Sequence, residues 1–235
     1  MSRTLPLFIV IGLALGISPA KAGERPVLIE LFTSEGCSSC PPADALLAEF
    51  SRRRDVLGLS FHVDYWDRLG WKDPFSSPAA TQRQQRYADL LGVATVYTPQ
   101  IVVDGKWQAV GSDRAEIERA LGAARQNLPQ VAVGLTVDHD RAQISLGSAD
   151  EGLAAGVVLI GFDRQHVNAV SRGENAGRTL AHVDVVRTLQ EAGQFDGRAN
   201  VIEVPIRLRC DRFVTVVQAR DGRVLGVAVR DANPL

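Results

Sequence analysis

Residues 27–42 read Val27-Leu28-Ile29-Glu30-Leu31-Phe32-Thr33-Ser34-Glu35-Gly36-Cys37-Ser38-Ser39-Cys40-Pro41-Pro42. The first seven are apolar or β-branched apart from Glu30, with little alternation, which predicts a buried strand. Ser34-Glu35-Gly36 ends it, and Pro41-Pro42 opens a helix, because proline is tolerated in the first helical turn. That helix carries Ala45, Leu46, Leu47 and Phe50 on its inner side and runs to about Arg52. Cys37 and Cys40 therefore fall where a strand hands over to a helix. A helix N-terminus offers unpaired N–H groups and the positive end of the helix dipole. Both favour a thiolate on Cys37, and Cys40, three residues on, is placed to attack a mixed disulfide. The expected roles are Cys37 as the exposed, attacking sulfur and Cys40 as the resolving one behind it. The alternatives are a structural disulfide or half of a zinc site. Zinc needs further Cys or His ligands, and the chain has no second C-x-x-C and only four His. No metal and no cofactor is expected.

Outward from this junction, Val56–Val63 reads as a second strand and Tyr65–Trp71 as an aromatic loop. The loop is either a wall beside the cysteines or packing that closes the core. A polar helix follows from about Ser77 to Leu91, stopped by Gly92. Its Arg83 and Arg86 read as a solvated face. Tyr97-Thr98-Pro99 leads into the strand Gln100–Val103, Asp104-Gly105 marks a two-residue hairpin, and Trp107–Val110 returns. A helix from Asp113 to about Gln126 ends this half. Asn127-Leu128-Pro129 reads as a linker. Beyond it, residues 131–137, 142–146, 156–162, 199–206, 213–219 and 224–229 read as short strands, while 179–189 fits strand and helix equally. Short strands at regular spacing suggest a β-sandwich. The expected organisation is thus an α/β domain at 23–128 followed by a separate, mostly β, sandwich-like domain at 129–235 without catalytic residues.

The N-terminus carries Arg3, an apolar run from Leu5 to Ile17, and Ala20-Lys21-Ala22. This is the pattern of a cleavable signal peptide at residues 1–22, cut after Ala22. The run is too short to span a bilayer comfortably, so no membrane span is expected in the mature chain, and a periplasmic or secreted location is. Disulfides persist there. Three cysteines allow one internal bridge and leave one thiol, and Cys210 reads as a small buried hydrophobe. The 235 residues carry a net charge of −1 and no basic run, which excludes an obvious nucleic-acid surface.

The order of elements over residues 26–126 resembles the thioredoxin superfamily. The resemblance implies a thioredoxin-like α/β domain in which a cis proline packs beside the cysteine pair and presents backbone to substrate. The matching residues are Thr98 and Pro99, expected to bind substrate across a cis bond. The chain differs from thioredoxin at Gly36, where that family usually carries Trp, at Ser38-Ser39 between the cysteines, and at Leu31, where the buried acid would stand. A closer resemblance is to a secreted family labelled domain of unknown function 1223. It is carried by Glu30–Asp44, His62-Val63-Asp64-Tyr65-Trp66-Asp67, Tyr97-Thr98-Pro99-Gln100 and Arg172-Gly173-Glu174-Asn175-Ala176-Gly177-Arg178. That last string is either a partner surface or a tight loop between strands.

The expected activity is thiol–disulfide exchange by Cys37 and Cys40, with protein or small-molecule thiols and disulfides as partners. Two other readings compete. One is a copper-handling chaperone, which needs a well-placed His; His62, before the proline loop, is not where that ligand is expected. The other is a binding module in which the disulfide is only structural.

Overall fold

The computed structural model describes residues 25–127, 130–150 and 152–232. The segment read as a signal peptide, and Leu128-Pro129 of the expected linker, lie outside them. The elements in chain order are β1 (Val27–Thr33), α1 (Pro41–Phe50), β2 (Val56–His62), a 3-10 turn (Asp67–Leu69), α2 (Pro78–Leu91), β3 (Gln100–Val103), β4 (Trp107–Val110) and α3 (Arg114–Ala124). Then come β5 (Val133–Val137), β6 (Arg141–Leu146), β7 (Ala155–Ala169), β8 (Thr179–Phe195), β9 (Asn200–Pro205), β10 (Arg212–Ala219) and β11 (Val224–Asp231).

The expected fold class is overturned. Eleven strands and three α-helices make a mostly β molecule among the described residues. It is not an α/β thioredoxin-like domain followed by a separate β-sandwich. Its centre is one mixed eight-stranded sheet in the order β11-β10-β7-β8-β2-β1-β3-β4. Strands from both halves of the chain share it. The reason lies in β2, whose seven residues Val-Leu-Gly-Leu-Ser-Phe-His are all buried. A strand buried on both faces belongs inside a sheet, not at its edge. β1 covers one side of β2 in parallel, and β8 covers the other, meeting it at Ser60–Val185. The segment read as ambiguous is the strand that joins the halves. Only β5, β6 and β9 form a second, three-stranded antiparallel sheet.

Alternation along β1 sets the two faces. Val27, Ile29 and Leu31 join a core with Leu47 and Phe50 of α1, Ile101 and Val103 of β3, and Ile117 and Leu121 of α3. Leu28 and Phe32 point the other way, into a core with Leu59 and Phe61 of β2, Tyr87 of α2, Ile160 and Phe162 of β7 and Val214 of β10. That second core draws on both halves of the sequence. Each fully buried aliphatic or aromatic side chain contributes about 1.5–3 kcal/mol, so separating the halves would expose a large stabilising surface.

Local signals hold where they are strong. Ser77 caps α2, its side chain accepting from Ala80 N–H, with Pro78 in the first turn and Gly92 at the end. Asp104 and Gly105, with φ of 48° and 68°, make the β3–β4 hairpin turn, the geometry that favours Asp-Gly there. β7 and β8 form a hairpin paired from Ala155–Phe195 out to Ala169–Thr179. Its end loop, residues 170–178, is closed by Val170 N–H to Arg178 C=O and Gly177 N–H to Val170 C=O. No described helix is long and apolar enough to cross a membrane.

Candidate functional site

Cys37 and Cys40 are joined by a disulfide, their Cα atoms 5.4 Å apart. Cys40 is the residue before α1, and its carbonyl accepts from the N–H groups of Ala43 and Asp44. Pro41 and Pro42 have no N–H, so the helix start supplies fewer donors to a thiolate than the sequence reading assumes. The polar hydrogen beside Cys37 Sγ comes instead from Ser39, whose Oγ is 3.3 Å away. The expectation that Cys37 is the exposed sulfur also fails. Both cysteines are fully buried, and only Ser38 and Ser39 between them reach solvent.

The cover comes from the β7–β8 hairpin end. Asn175, itself fully buried, donates through Nδ2 to the carbonyls of Glu35 and Cys37, both at 2.9 Å. Its own Oδ1 accepts from Arg178. Glu174 Oε2 accepts from Ser38 N–H at 3.0 Å, and those bonds from Ser38 hold its carboxyl below the usual range. The string 172–178 is therefore a loop built to hold the cysteine turn.

Beneath the turn lies a buried charged network. The Glu35 carboxylate accepts from Trp71 Nε1 at 2.8 Å and from Asn168 Nδ2 at 2.9 and 3.1 Å. His182 Nε2 lies 3.3 Å from Glu35, and its Nδ1 lies 3.8 Å from Asp44 of α1. The rings of His182 and His62 meet edge to face at 4.8 Å, with Phe75 against both. His62 Nδ1 lies 2.6 Å from Asp73, whose Oδ2 also accepts from Glu35 N–H. Burial opposes the charge on Asp73, but His62 and the N–H groups of Glu35 and Phe75 hold its carboxyl below the ordinary value. Burial likewise opposes charge on His182, yet the Asp44 and Glu35 carboxylates raise it to about 9. A group raised on folding stabilises the protein fully below its unfolded pKa of about 6.5, and the contribution disappears as pH rises through the folded value. The melting temperature of the oxidised chain is therefore expected to fall by roughly 5 °C between pH 7 and 10, and His182→Gln to flatten that decline. A His182→Gln profile parallel to the parent's would remove His182 as the titrating group.

The expected substrate residues stand to one side. The Thr98–Pro99 bond is cis, and Thr98 Oγ1 accepts from Trp66 Nε1 at 2.8 Å. Trp66 in turn packs on Gly36, where a Cβ would sit only 3.2 Å from its side chain. The aromatic loop thus lies against the residue before Cys37, which must be small. A Cβ at Gly111 would sit 2.9 Å from Pro99 and 3.0 Å from Ala43, so the proline and the first turn after Cys40 both border Gly111. Cys210 is buried, and desolvation chiefly pushes its thiol up to about 12. Among the described residues no three His, Cys, Asp or Glu side chains gather to hold a metal ion.

A family model described as a protein of unknown function, DUF1223, matches residues 28–218, which include the cysteine turn, Thr98-Pro99 and the 172–178 loop. The chain belongs to the DUF1223 family. It resembles the crystal structure of a structural-genomics target from Agrobacterium tumefaciens, with 29% identity, a TM-score of 0.77, and coverage of 91% of this chain and 98% of that one. It also resembles HBP35 of Porphyromonas gingivalis, with 14% identity, a TM-score of 0.64, and coverage of 89% and 76%; that likeness is one of fold. No curated protein matches the chain.

Sequence reasoning singles out both cysteines, Thr98, Pro99 and the 172–178 string. It misses Glu35, Asp44, Asn168 and His182. A mid-strand His facing a helix Asp carries no local signal, because the contact needs the β8–α1 packing.

Proposed function

We propose that this DUF1223 member is an exported thiol–disulfide oxidoreductase acting through Cys37 and Cys40. The observation that carries this reading is the Ser39 hydroxyl 3.3 Å from Cys37 Sγ, in a C-x-x-C turn at a helix N-terminus. A hydroxyl donor and the positive helix end stabilise a Cys37 thiolate over one on Cys40. In the reduced protein, Cys37 thiolate attacks a partner disulfide, its S–S bond breaks, and one partner thiolate leaves. Cys40 then attacks Cys37 sulfur, the mixed disulfide breaks, and the second thiolate leaves. The pair is oxidised by two electrons and the partner is reduced by two; the reverse direction uses the same bonds. Trp66 and Thr98, both half-buried, form the side against which a partner chain would lie, with Pro99 buried behind them. The signal-like N-terminal segment and the disulfide itself support an oxidising, extracytoplasmic location.

One specific observation favours a structural disulfide in a binding module: both sulfurs are buried under the Asn175 contact. The two readings separate in glutathione buffers. Exchange competence predicts that the native mature chain reaches a single redox equilibrium without denaturant, scored by thiol alkylation, and that it accelerates insulin reduction. A pair that resists dithiothreitol until the chain is unfolded would overturn the oxidoreductase reading.

A further inference from the structure

Four arginines that are scattered in sequence converge along one groove. Arg52 follows α1, Arg164 lies on β7, Arg178 precedes β8 and Arg212 opens β10. They line an open groove of about 680 Å³ between α1 and the first residues of β8, which begins at Pro41, directly after Cys40. No basic run foretells it; the antiparallel β8–β7–β10 order assembles it.

The charge balance in the groove is positive. Arg52 is exposed and has no acidic partner among the described residues. Arg178 is also exposed, and its bond is to the neutral Asn175 side chain. Arg164 and Arg212 share a single carboxylate oxygen, Asp231 Oδ1, at 2.8 Å each. Of the carboxylates lining the groove, Asp44 faces His182, and Asp184 is the other, half-buried one. This lies on a chain whose overall charge is slightly negative, so the groove is a local exception.

We propose that the groove docks an extended acidic polypeptide segment. Its volume is in the range of sites that enclose a ligand far larger than one carboxylate or phosphate. Guanidinium groups along both walls suit successive Asp and Glu side chains, which they bind in paired, planar fashion. The inference deepens the oxidoreductase reading and in that respect rests on it: the partner whose cysteine meets Cys37 is a chain with acidic residues flanking that cysteine.

The test uses the oxidised, full mature chain and three fluorescein-labelled, cysteine-free probes: a Glu-rich decapeptide, its Lys-rich counterpart and a deoxythymidine decamer. Anisotropy should show the acidic peptide binding in 50 mM salt and weakening several-fold in 500 mM. The double variant Arg52→Glu, Arg164→Glu should weaken it by roughly tenfold, since both side chains are exposed and their loss leaves the core intact. Equal binding of the Lys-rich peptide, or acidic binding indifferent to the double variant, overturns the proposal. Tighter binding of the nucleotide decamer also overturns it in favour of a phosphate-backbone surface. No probe has a thiol, so a structural disulfide, which would sink the oxidoreductase reading, leaves these outcomes unchanged.

Discussion

Arg83→Met should cost about 3–5 kcal/mol of stability, the penalty for leaving a buried charge unpaired. Arg83 and Glu30 are both almost wholly buried, with Nε and Oε1 2.5 Å apart. The Glu30 carboxylate also accepts from Tyr87 O–H, and Tyr87 accepts from Gln218 Nε2 at 2.8 Å. The guanidinium lies 5.6 and 5.2 Å from the Phe61 and Tyr87 rings. Burial raises the Tyr87 hydroxyl well above its usual range, with Glu30 adding to the effect, so it donates and does not ionise. Removing the cation strands Glu30 under the α2 helix. Because Gln218 belongs to β10, the damage reaches the junction of the two chain halves. Urea denaturation followed by circular dichroism measures the loss. The double variant Arg83→Met, Glu30→Gln should recover part of it, since no charge is then left unpaired. A single-variant loss below about 1 kcal/mol would show that water reaches the pair.

Cys37→Ser should reduce thiol–disulfide exchange to the uncatalysed background, whereas Cys40→Ser should accumulate mixed disulfides with partner chains. Losing so short a cross-link costs only about 2 kcal/mol on the chain-entropy account, so both variants are expected to fold. Non-reducing electrophoresis followed by release with dithiothreitol separates the two. Trapped adducts on Cys37→Ser and none on Cys40→Ser would reverse the roles. The Ser39 hydroxyl is placed to serve only one of these thiolates.

How much of this was legible in residue order depends on the range of each contact. The strand Val27–Thr33, the cysteine turn, the helix opened by Pro41-Pro42, the capped α2 and the Asp104-Gly105 turn all follow from neighbours a few positions apart. The sheet does not. β7 extends to Ala169 through Asp163-Arg164-Gln165-His166, a polar run that reads as loop because its partner strand is what makes it a strand. Thr179–Leu189 reads two ways for the same reason. Arg83 reads as a solvated residue on a polar helix, yet Glu30, 53 positions earlier, turns it inward. At the site, the two cysteines are legible and their burial is not. Asn175 and Glu174 supply that cover, and nothing about an Asn in a glycine-rich string names the carbonyls it will meet.

The contacts over the cysteine turn span the chain: Asn175 reaches Cys37 across 138 positions, and His182 reaches Glu35 across 147. A polypeptide is made from its N-terminus, so the two thiols are exposed in the nascent chain well before the hairpin that covers them has been synthesised. Until then the strand Val56–His62 also lacks its β8 neighbour. Assembly therefore passes through a stage in which the cysteines are open to an oxidant and the later cover is absent. Any oxidant that reaches the newborn chain therefore meets the cysteine turn without the Asn175 contact that covers it in the finished fold.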